Sequence, residues 1–272
     1  MSHPDLTILI VSYNTRALLA ACLRALMTDG ELSHEIVVID NASDDDSADM
    51  VERDFPEVQL IRNAENVGFA RANNQGLAIS TGRYMLLLNS DTVVPAGALA
   101  QLVVFMDAHP EAGACSPRLL RPDGTPQTYA FGRDPTPDYL LRRILNRRLF
   151  HQPLHDWATN DVIAVDWVCG ACLLARREVV ERIGGLDEKF FMYFEDNDWC
   201  LRMRQDGWKV YLNSRVEITH IGGQSAARNP AARAAYYRSL GYFYSKHYGP
   251  AARGAMRIAL AGNRLMTGPE VK

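Results

Sequence analysis

The sequence predicts an α/β fold with a mainly parallel central sheet. Short apolar runs with no polar face alternate with segments whose apolar residues recur at helical spacing. Several of the runs stop abruptly in small polar groups and a carboxylate. Such an ending marks the carboxyl edge of a buried parallel strand, where open α/β sheets bind their ligands.

Residues 7–11 (Thr-Ile-Leu-Ile-Val) read as the first strand, followed by Ser12-Tyr13-Asn14. Leu18, Leu19, Cys22, Leu23 and Leu26 then trace one helical face. Residues 35–40 form a second strand ending in Asp40. Asp44, Asp45 and Asp46 load the start of a helix that runs to about Phe55. Residues 58–61 are a third strand, and residues 68–80 a helix anchored by Phe69, Leu77 and Ile79. The fourth strand, Tyr84 onward, ends in Asn89-Ser90-Asp91, and a helix spans residues 96–108 with Pro95 in its first turn. Beyond Ala112 the rhythm changes. Arg121-Pro122-Asp123-Gly124 is a turn, and residues 125–138 are a proline-rich loop. Residues 139–150 are an amphipathic basic helix and residues 162–175 are extended. Residues 177–183 are a helix stopped by Gly184-Gly185, and residues 195–205 another. Residues 208–212 are a strand, and the chain is helical again from about Ala231.

The 272 residues are 47% hydrophobic and 22% charged, ordinary soluble-globular values, and the length fits one large domain or two small ones. The formal net charge of -3 argues against nucleic acid as a partner. No apolar run approaches the roughly 20 residues that span a bilayer. Five irregularly spaced cysteines and a start without a secretory pattern lead to the expectation of a reducing cytoplasm. Arg142, Arg143, Arg147 and Arg148 on one helix, and Arg233, Arg238, Lys246, Arg253, Arg257 and Arg264 in the tail after Arg228, are two basic surfaces. They are either solvated helix faces or contacts to an anionic membrane face.

The candidate chemistry clusters at the strand ends. Asp91 either caps the following helix or holds a divalent cation carrying phosphate. Asp40 can accept the N–H of a pyrimidine ring or a ribose hydroxyl, while Ser43 and Asp44 either cap the next helix or touch the same ligand. Asn63, Asn66, Gly68, Arg71, Asn73, Asn74 and Gly76 form a dense polar set around a helix start, where Arg71 suits a phosphate. Aromatics at residues 190–194 run into Glu195, Asp196 and Asp198. Asp198 pairs naturally with Arg202 four residues on. A carboxylate against an apolar wall has a raised pKa, which suits a general base. His220 is either a structural histidine or a metal ligand. Cys169 and Cys172 have redox or zinc spacing, but no second pair completes a zinc site, and they read as structural.

Taken in order, these residues resemble family-2 glycosyltransferases of the GT-A fold. The resemblance runs through Val11-Ser12-Tyr13-Asn14, Asp40-Asn41-Ser43-Asp44, the Asn66-Gly68-Asn73-Asn74-Gly76 block, Asn89-Ser90-Asp91, Gly170-Ala171, Glu195-Asp196-Asn197-Asp198 and His220. It is greatest with bacterial rhamnosyltransferase-like enzymes of cell-surface polysaccharide. It implies a Rossmann-like sheet in one domain over residues 1–225, with a nucleotide-sugar half at 1–118 and an acceptor half at 119–225. A helical extension over residues 226–272 follows. By the same resemblance Ser12, Tyr13, Asn14, Asp40, Asn66, Arg71, Asn74, Asn89 and Ser90 hold the nucleotide-sugar. Asp91 and His220 bind Mg²⁺ or Mn²⁺. Asn89 replaces the first aspartate of the family's Asp-x-Asp motif.

Asp196 is then the general base of an inverting transfer, with Glu195, Trp167 and Gly170 on the acceptor side. The implied donor is dTDP-rhamnose, or else a UDP-sugar. The implied acceptor is a glycan or a polyprenyl-diphosphate-linked sugar, reached from the cytoplasm or the inner membrane face. Two other classes remain open. A sugar-phosphate nucleotidyltransferase would carry a glycine-rich basic loop where Ser12-Tyr13-Asn14-Thr15-Arg16 stands. A non-catalytic nucleotide-sugar-binding module would have no need of Asp91, Asp196 and His220 together.

Overall fold

The computed structural model describes residues 4–149, 155–222, 230–252 and 254. Along the chain lie β1 (Leu6–Ser12), α1 (Arg16–Thr28), β2 (His34–Asp40), α2 (Ser47–Asp54), β3 (Gln59–Arg62), α3 (Phe69–Ile79) and β4 (Tyr84–Asn89). Then come β5 (Thr92–Val93), α4 (Ala98–Ala108), β6 (Ala112–Leu120), β7 (Phe131–Gly132) and α5 (Pro137–Leu149). The rest comprises β8 (Val162–Val165), β9 (Trp167–Val168), β10 (Cys172–Arg176), α6 (Arg177–Ile183), α7 (Glu195–Gln205), β11 (Lys209–His220) and α8 (Pro230–His247).

One sheet carries nine of the strands in the order β3-β2-β1-β4-β10-β6-β11-β5, with β8 also on β11. β3, β2, β1 and β4 are parallel, and so are β6 and β11. β10 runs against both β4 and β6, so these two groups share one direction. β5 and β8 run against β11. The order reverses at β1, between β2 and β4, and ligands bind at the carboxyl side of such a point. β1 and β4 are buried on both faces, as their unbroken apolar runs require.

Helices cover the sheet with the faces their spacing dictates. α1 buries Leu19, Cys22, Leu23 and Leu26. α3 departs from the expected anchors. It buries Ala70, Ala72, Asn73 and Gly76, and leaves Ile79 42% exposed. Gly76 lies flush on the sheet, where an added Cβ would come within 2.8 Å of a Leu9 methyl. Small residues, not bulky ones, set how closely this helix approaches.

Three expectations need correcting. Pro95 precedes α4 instead of sitting in its first turn, because Gly97 adopts a left-handed φ of 74° and starts the helix later. Residues 112–120, expected only as a change of rhythm, are a central strand. Its Pro117 lies beyond the residues that pair with β10, beside a register shift in the pairing with β11. The strand expected at 208–212 continues to His220. Its polar interruption at Asn213 and Ser214 is a bulge, with Ser214 Oγ donating to Asp161 O and Arg215 N–H to Asn213 Oδ1.

Candidate active site

The carboxyl ends of β2, β1 and β4 lie level. Ser12 is in register with Asp40, and Val11 with Asn89. Asp40 is 3% exposed. Its Oδ2 accepts Ser43 N–H at 3.0 Å, whereas its Oδ1 is buried with no hydrogen-bond partner among the described residues. An orphaned buried carboxylate oxygen is costly and is commonly reserved for a ligand. Around it the loops lock together. Asn14 N–H donates to Ser43 Oγ, and Asp44 N–H donates to Asn14 Oδ1. Ser43 and Asp44 therefore brace this pocket, while α2 begins at a left-handed Asp46 with Asp45 accepting Ser47 N–H. Tyr13, beside Ser12, is 50% exposed.

The turn after β4 forms the next corner. β5 folds it back onto the end of β11, so that His220 pairs with Thr92. Asp91 Oδ1 then lies 3.1 Å from His220 Nε2, and Asp91 Oδ2 accepts Gly222 N–H at 3.0 Å. Burial opposes the charge on Asp91, but the contacts from His220 and Gly222 outweigh it and lower its pKa. His220 Nδ1 lies 2.9 Å from Gln127 Oε1, and Nε2 is the ring nitrogen turned toward Asp91. Asn89 Nδ2 donates toward the same Nε2 at 3.1 Å. Ser90 is tied to the first strand through hydroxyls, Ser90 Oγ to Thr15 Oγ1 and Thr15 Oγ1 to Ser12 Oγ.

A neutral His220 that donates Nδ1–H to Gln127 would turn an Nε2 lone pair, beside Asp91 Oδ1, toward a cation. A carboxylate oxygen and an imidazole nitrogen suit Mn²⁺, and Mg²⁺ less fully. Among the described residues no group of three His, Cys, Asp or Glu side chains surrounds one point. A cation held here keeps positions for water and phosphate oxygens, which fits a site shared with a substrate.

The third corner is the start of α7. Tyr193 and Phe194 both adopt left-handed φ, 70° and 68°, immediately before Glu195 and Asp196. Strain in consecutive non-glycine residues persists only where packing enforces it. Here Phe190 and Phe194 are buried against Leu240, Phe243 and Tyr244 of α8, and Ser239 Oγ donates to Met192 O. From below, Phe69 N–H donates to Phe191 O at 2.8 Å. Gly68 makes this approach possible, because a Cβ there would stand 2.6 Å from Phe191 O.

Asp196 is half-buried, and its carboxylate accepts Gly170 N–H at 3.0 Å and Asn197 N–H at 2.8 Å. Burial raises its pKa despite those two bonds. Glu195 is 5% exposed, and its Oε2 has no partner among the described residues. Burial, then the neighbouring Asp196 charge, pushes its pKa well above the carboxylate range. The Asp91–His220 corner and this corner share one turn. Asn89 N–H donates to Ala171 O, and Gly170 N–H to Asp196. Cys169 in that turn has its thiol pushed up to about 12, by burial and then by the charges of Asp196, Glu195 and Asp91. The Cys169 and Cys172 thiols are both free, and burial pushes Cys172 well up too, which makes both unreactive.

Trp167 Nε1–H donates to Arg133 O, and with the Asn197 amide turned it also reaches the Asn197 oxygen at 3.2 Å. Two sequence candidates stand apart from these corners. Asn74 spends its amide on Leu186 N–H, Leu186 O and Glu188, which fixes the loop after α6. Arg71 faces Glu188 at 3.9 Å with its side chain 58% exposed. Asn66 caps the turn by accepting Gly68 N–H. Gln127 and Thr15 were not among the sequence candidates. Gln127 lies in a proline-rich loop with no motif around it, and only the fold brings it to His220.

A family model described as Glycosyl transferase family 2 matches residues 7–184. That stretch includes Ser12, Asp40, Asn89 and Asp91 and ends before Glu195, Asp196 and His220. The chain is 28% identical over 280 residues to an N-acetylglucosaminyl-diphospho-decaprenol L-rhamnosyltransferase of Mycobacterium tuberculosis, covering 95% of this chain and 90% of that protein. It is 24% identical over 223 residues to the dTDP-rhamnosyl transferase RfbF of Shigella flexneri, covering 80% of this chain and 70% of that protein. Among solved structures, the mannosyltransferase PcManGT from Pyrobaculum calidifontis, in complex with GDP-Man and Mn²⁺, superposes with a TM-score of 0.58 at 19% identity. That match covers 98% of this chain and 77% of the other, and it shows a shared fold.

Proposed function

The chain belongs to glycosyl transferase family 2, and from that premise we propose that it is an inverting, metal-dependent enzyme that moves a sugar, rhamnose first, from a dTDP-sugar to a polyprenyl-diphosphate-linked glycan. That it is a glycosyltransferase of the rhamnosyltransferase-like kind follows from the family match and its relatives. The donor, acceptor, metal and stereochemistry are our reading. The observation that carries it is the Asp91–His220 pair, 3.1 Å apart, joined through the 169–171 turn to a carboxylate with a raised pKa.

In this reading the buried Asp40 Oδ1 accepts the N–H of the pyrimidine ring, with Ser12, Tyr13 and Asn14 around the base and ribose. Asp91 and His220 hold the cation beside the donor diphosphate, with Asn89 and Ser90 next to the sugar. A divalent cation bound there neutralises charge on the departing diphosphate. Asp196 takes the proton of an acceptor hydroxyl as that oxygen bonds to the anomeric carbon. The anomeric carbon–oxygen bond to the diphosphate breaks, and its electron pair leaves with the nucleotide. The N–H groups of Gly170 and Asn197 hold Asp196 in place, and Glu195 and Trp167 bound the acceptor side. The acceptor class rests on the decaprenol-linked substrate in the name of the mycobacterial relative.

A thermal-shift panel tests the donor. dTDP-rhamnose with Mn²⁺ is expected to raise the melting temperature more than UDP- or GDP-sugars, and chelator to remove most of the shift, since binding to the folded state is stabilising. Equal shifts with all nucleotides, or shifts indifferent to chelator, would contradict the donor and metal assignments respectively.

A further inference from the structure

α5 is anchored at its base and bare along one side. Tyr139 hydrogen-bonds His155. His155 packs over Gly132 next to Trp167, since a Cβ on Gly132 would meet His155 Nε2 at 3.2 Å and the Trp167 ring at 3.3 Å. The segment before the helix is tied to α8, where Tyr244 donates to Pro135 O. β9, which holds Trp167, leads directly into the Cys169-Gly170-Ala171 turn, whose Gly170 N–H donates to Asp196. α5 is therefore coupled to the acceptor side of the site, not to the nucleotide side.

Leu141, Leu145 and Leu149 recur every four residues along α5 and are 57%, 46% and 67% exposed. Residues spaced by four share one face of a helix. These are three of the ten large hydrophobic side chains exposed in the described residues, and they form one stripe. Arg142 beside the stripe is exposed. The helix as a whole carries Arg142, Arg143, Arg147 and Arg148 against one acid, Asp138, in its sequence. The side chains of Arg143, Arg147 and Arg148 lie outside the described residues.

An apolar stripe on a strongly basic helix matches the make-up of helices that lie in the interface of an anionic bilayer. Among the described residues no helix is long and apolar enough to cross a membrane. We infer that the leucine face of α5 is an interfacial membrane contact, which seats the acceptor side of the site against an anionic lipid surface. This rests on the proposed lipid-carried acceptor and specifies how the enzyme reaches it. The basic tail contributes less than its composition implied, because the Lys246 ammonium is spent on Asp187 and Asp198. Arg228, Arg253, Arg257 and Arg264 lie outside the described residues, as does the side chain of Arg233.

The test is flotation of the full chain with vesicles of phosphatidylglycerol or of phosphatidylcholine, beside the variant L141S/L145S/L149S. The wild type is expected to float with phosphatidylglycerol, less so as salt rises, and not with phosphatidylcholine alone. The variant is expected to lose about tenfold or more of that partition while its melting temperature holds, because the removed groups already face solvent. Absence of wild-type binding, or equal flotation of the variant, overturns the inference. So does a wild-type dimer that the variant dissociates with no vesicle binding by either, since the stripe then meets a second copy. Metal-dependent turnover of the nucleotide-sugar with a water-soluble acceptor is measured in parallel. If that turnover persists in both proteins while flotation fails, the membrane contact alone is wrong. If the wild type shows no such turnover, the proposed function fails instead.

Discussion

Gln127 shows what a single side chain does here. In the proposed site it would accept Nδ1–H of His220, 2.9 Å away, and so leave Nε2 for a cation beside Asp91. Partners of this kind typically change metal affinity by about 10–100-fold when removed. Gln127→Leu should therefore weaken Mn²⁺ binding by about that factor with little change in melting temperature, and titration calorimetry of Mn²⁺ checks it. Unchanged affinity would make Gln127 a bystander. Glu195 carries a second prediction. Its pKa is raised in the fold, so the folded state holds a proton that the unfolded chain releases near the ordinary carboxylate range. Stability from this group is full below that range and declines as pH rises through the folded pKa. Glu195→Gln should thus raise the melting temperature at neutral pH, with the gain vanishing as the pH approaches about 4. A constant gain at all pH values would rule out this origin. Asp40 and Asp91 were legible as candidates from strand ends and Asp196 from a helix start, whereas His220 rested on the resemblance, because its strand was expected to stop at Leu212. Gln127 was not, because nothing near it in sequence predicts which loop reaches β11. Nor was the use of the Asn74 amide by a loop more than a hundred residues away.

Among the elements, α7 and α8 depend on each other. Asp198 is fully buried and meets Arg202 at 2.9 Å, His247 at 2.7 Å and Lys246 at 2.6 Å. Burial opposes its charge, but these partners outweigh burial and lower its pKa to about 2. Its contribution is therefore present above pH about 4 and lost as pH falls toward 2. Asp198→Asn removes the buried carboxylate that Arg202 and Lys246 share and should cost about 2 kcal/mol, seen in urea unfolding at pH 7. A loss below about 1 kcal/mol would show that α8 is held by its aromatic contacts alone. The pairing with Arg202 was visible from the four-residue spacing. The pairing with Lys246 and His247 was not, since it needs α8 to fold back over the strained Tyr193-Phe194 turn. The strand boundaries show the same limit. β1, β2 and β4 were legible because they are continuous apolar runs. β6 and the far half of β11 were hidden by Pro117 and by Asn213-Ser214, which the sheet accommodates at one bulge.

Across the whole molecule, the sheet brings three chemistries to one edge. The parallel half supplies Asp40 in register with Ser12, and Asn89 in register with the preceding Val11. β11 and β5 bring His220 to Asp91. The turn before β10 links the Asn89 end of β4, next to Asp91, to Asp196. Because the pKa of Asp196 is raised by burial, turnover should fall as pH drops through a value above the usual aspartate range, and a kcat profile from pH 4 to 9 would locate that limb. The measurement that bears most directly on this arrangement is sugar transfer by Asp196→Asn, taken together with its donor-induced thermal shift. Loss of about 10²–10⁴-fold in kcat, with the Mn²⁺-dependent donor shift unchanged, is expected of a general base on the acceptor side. Retention of more than about a tenth of the activity would contradict that role for Asp196.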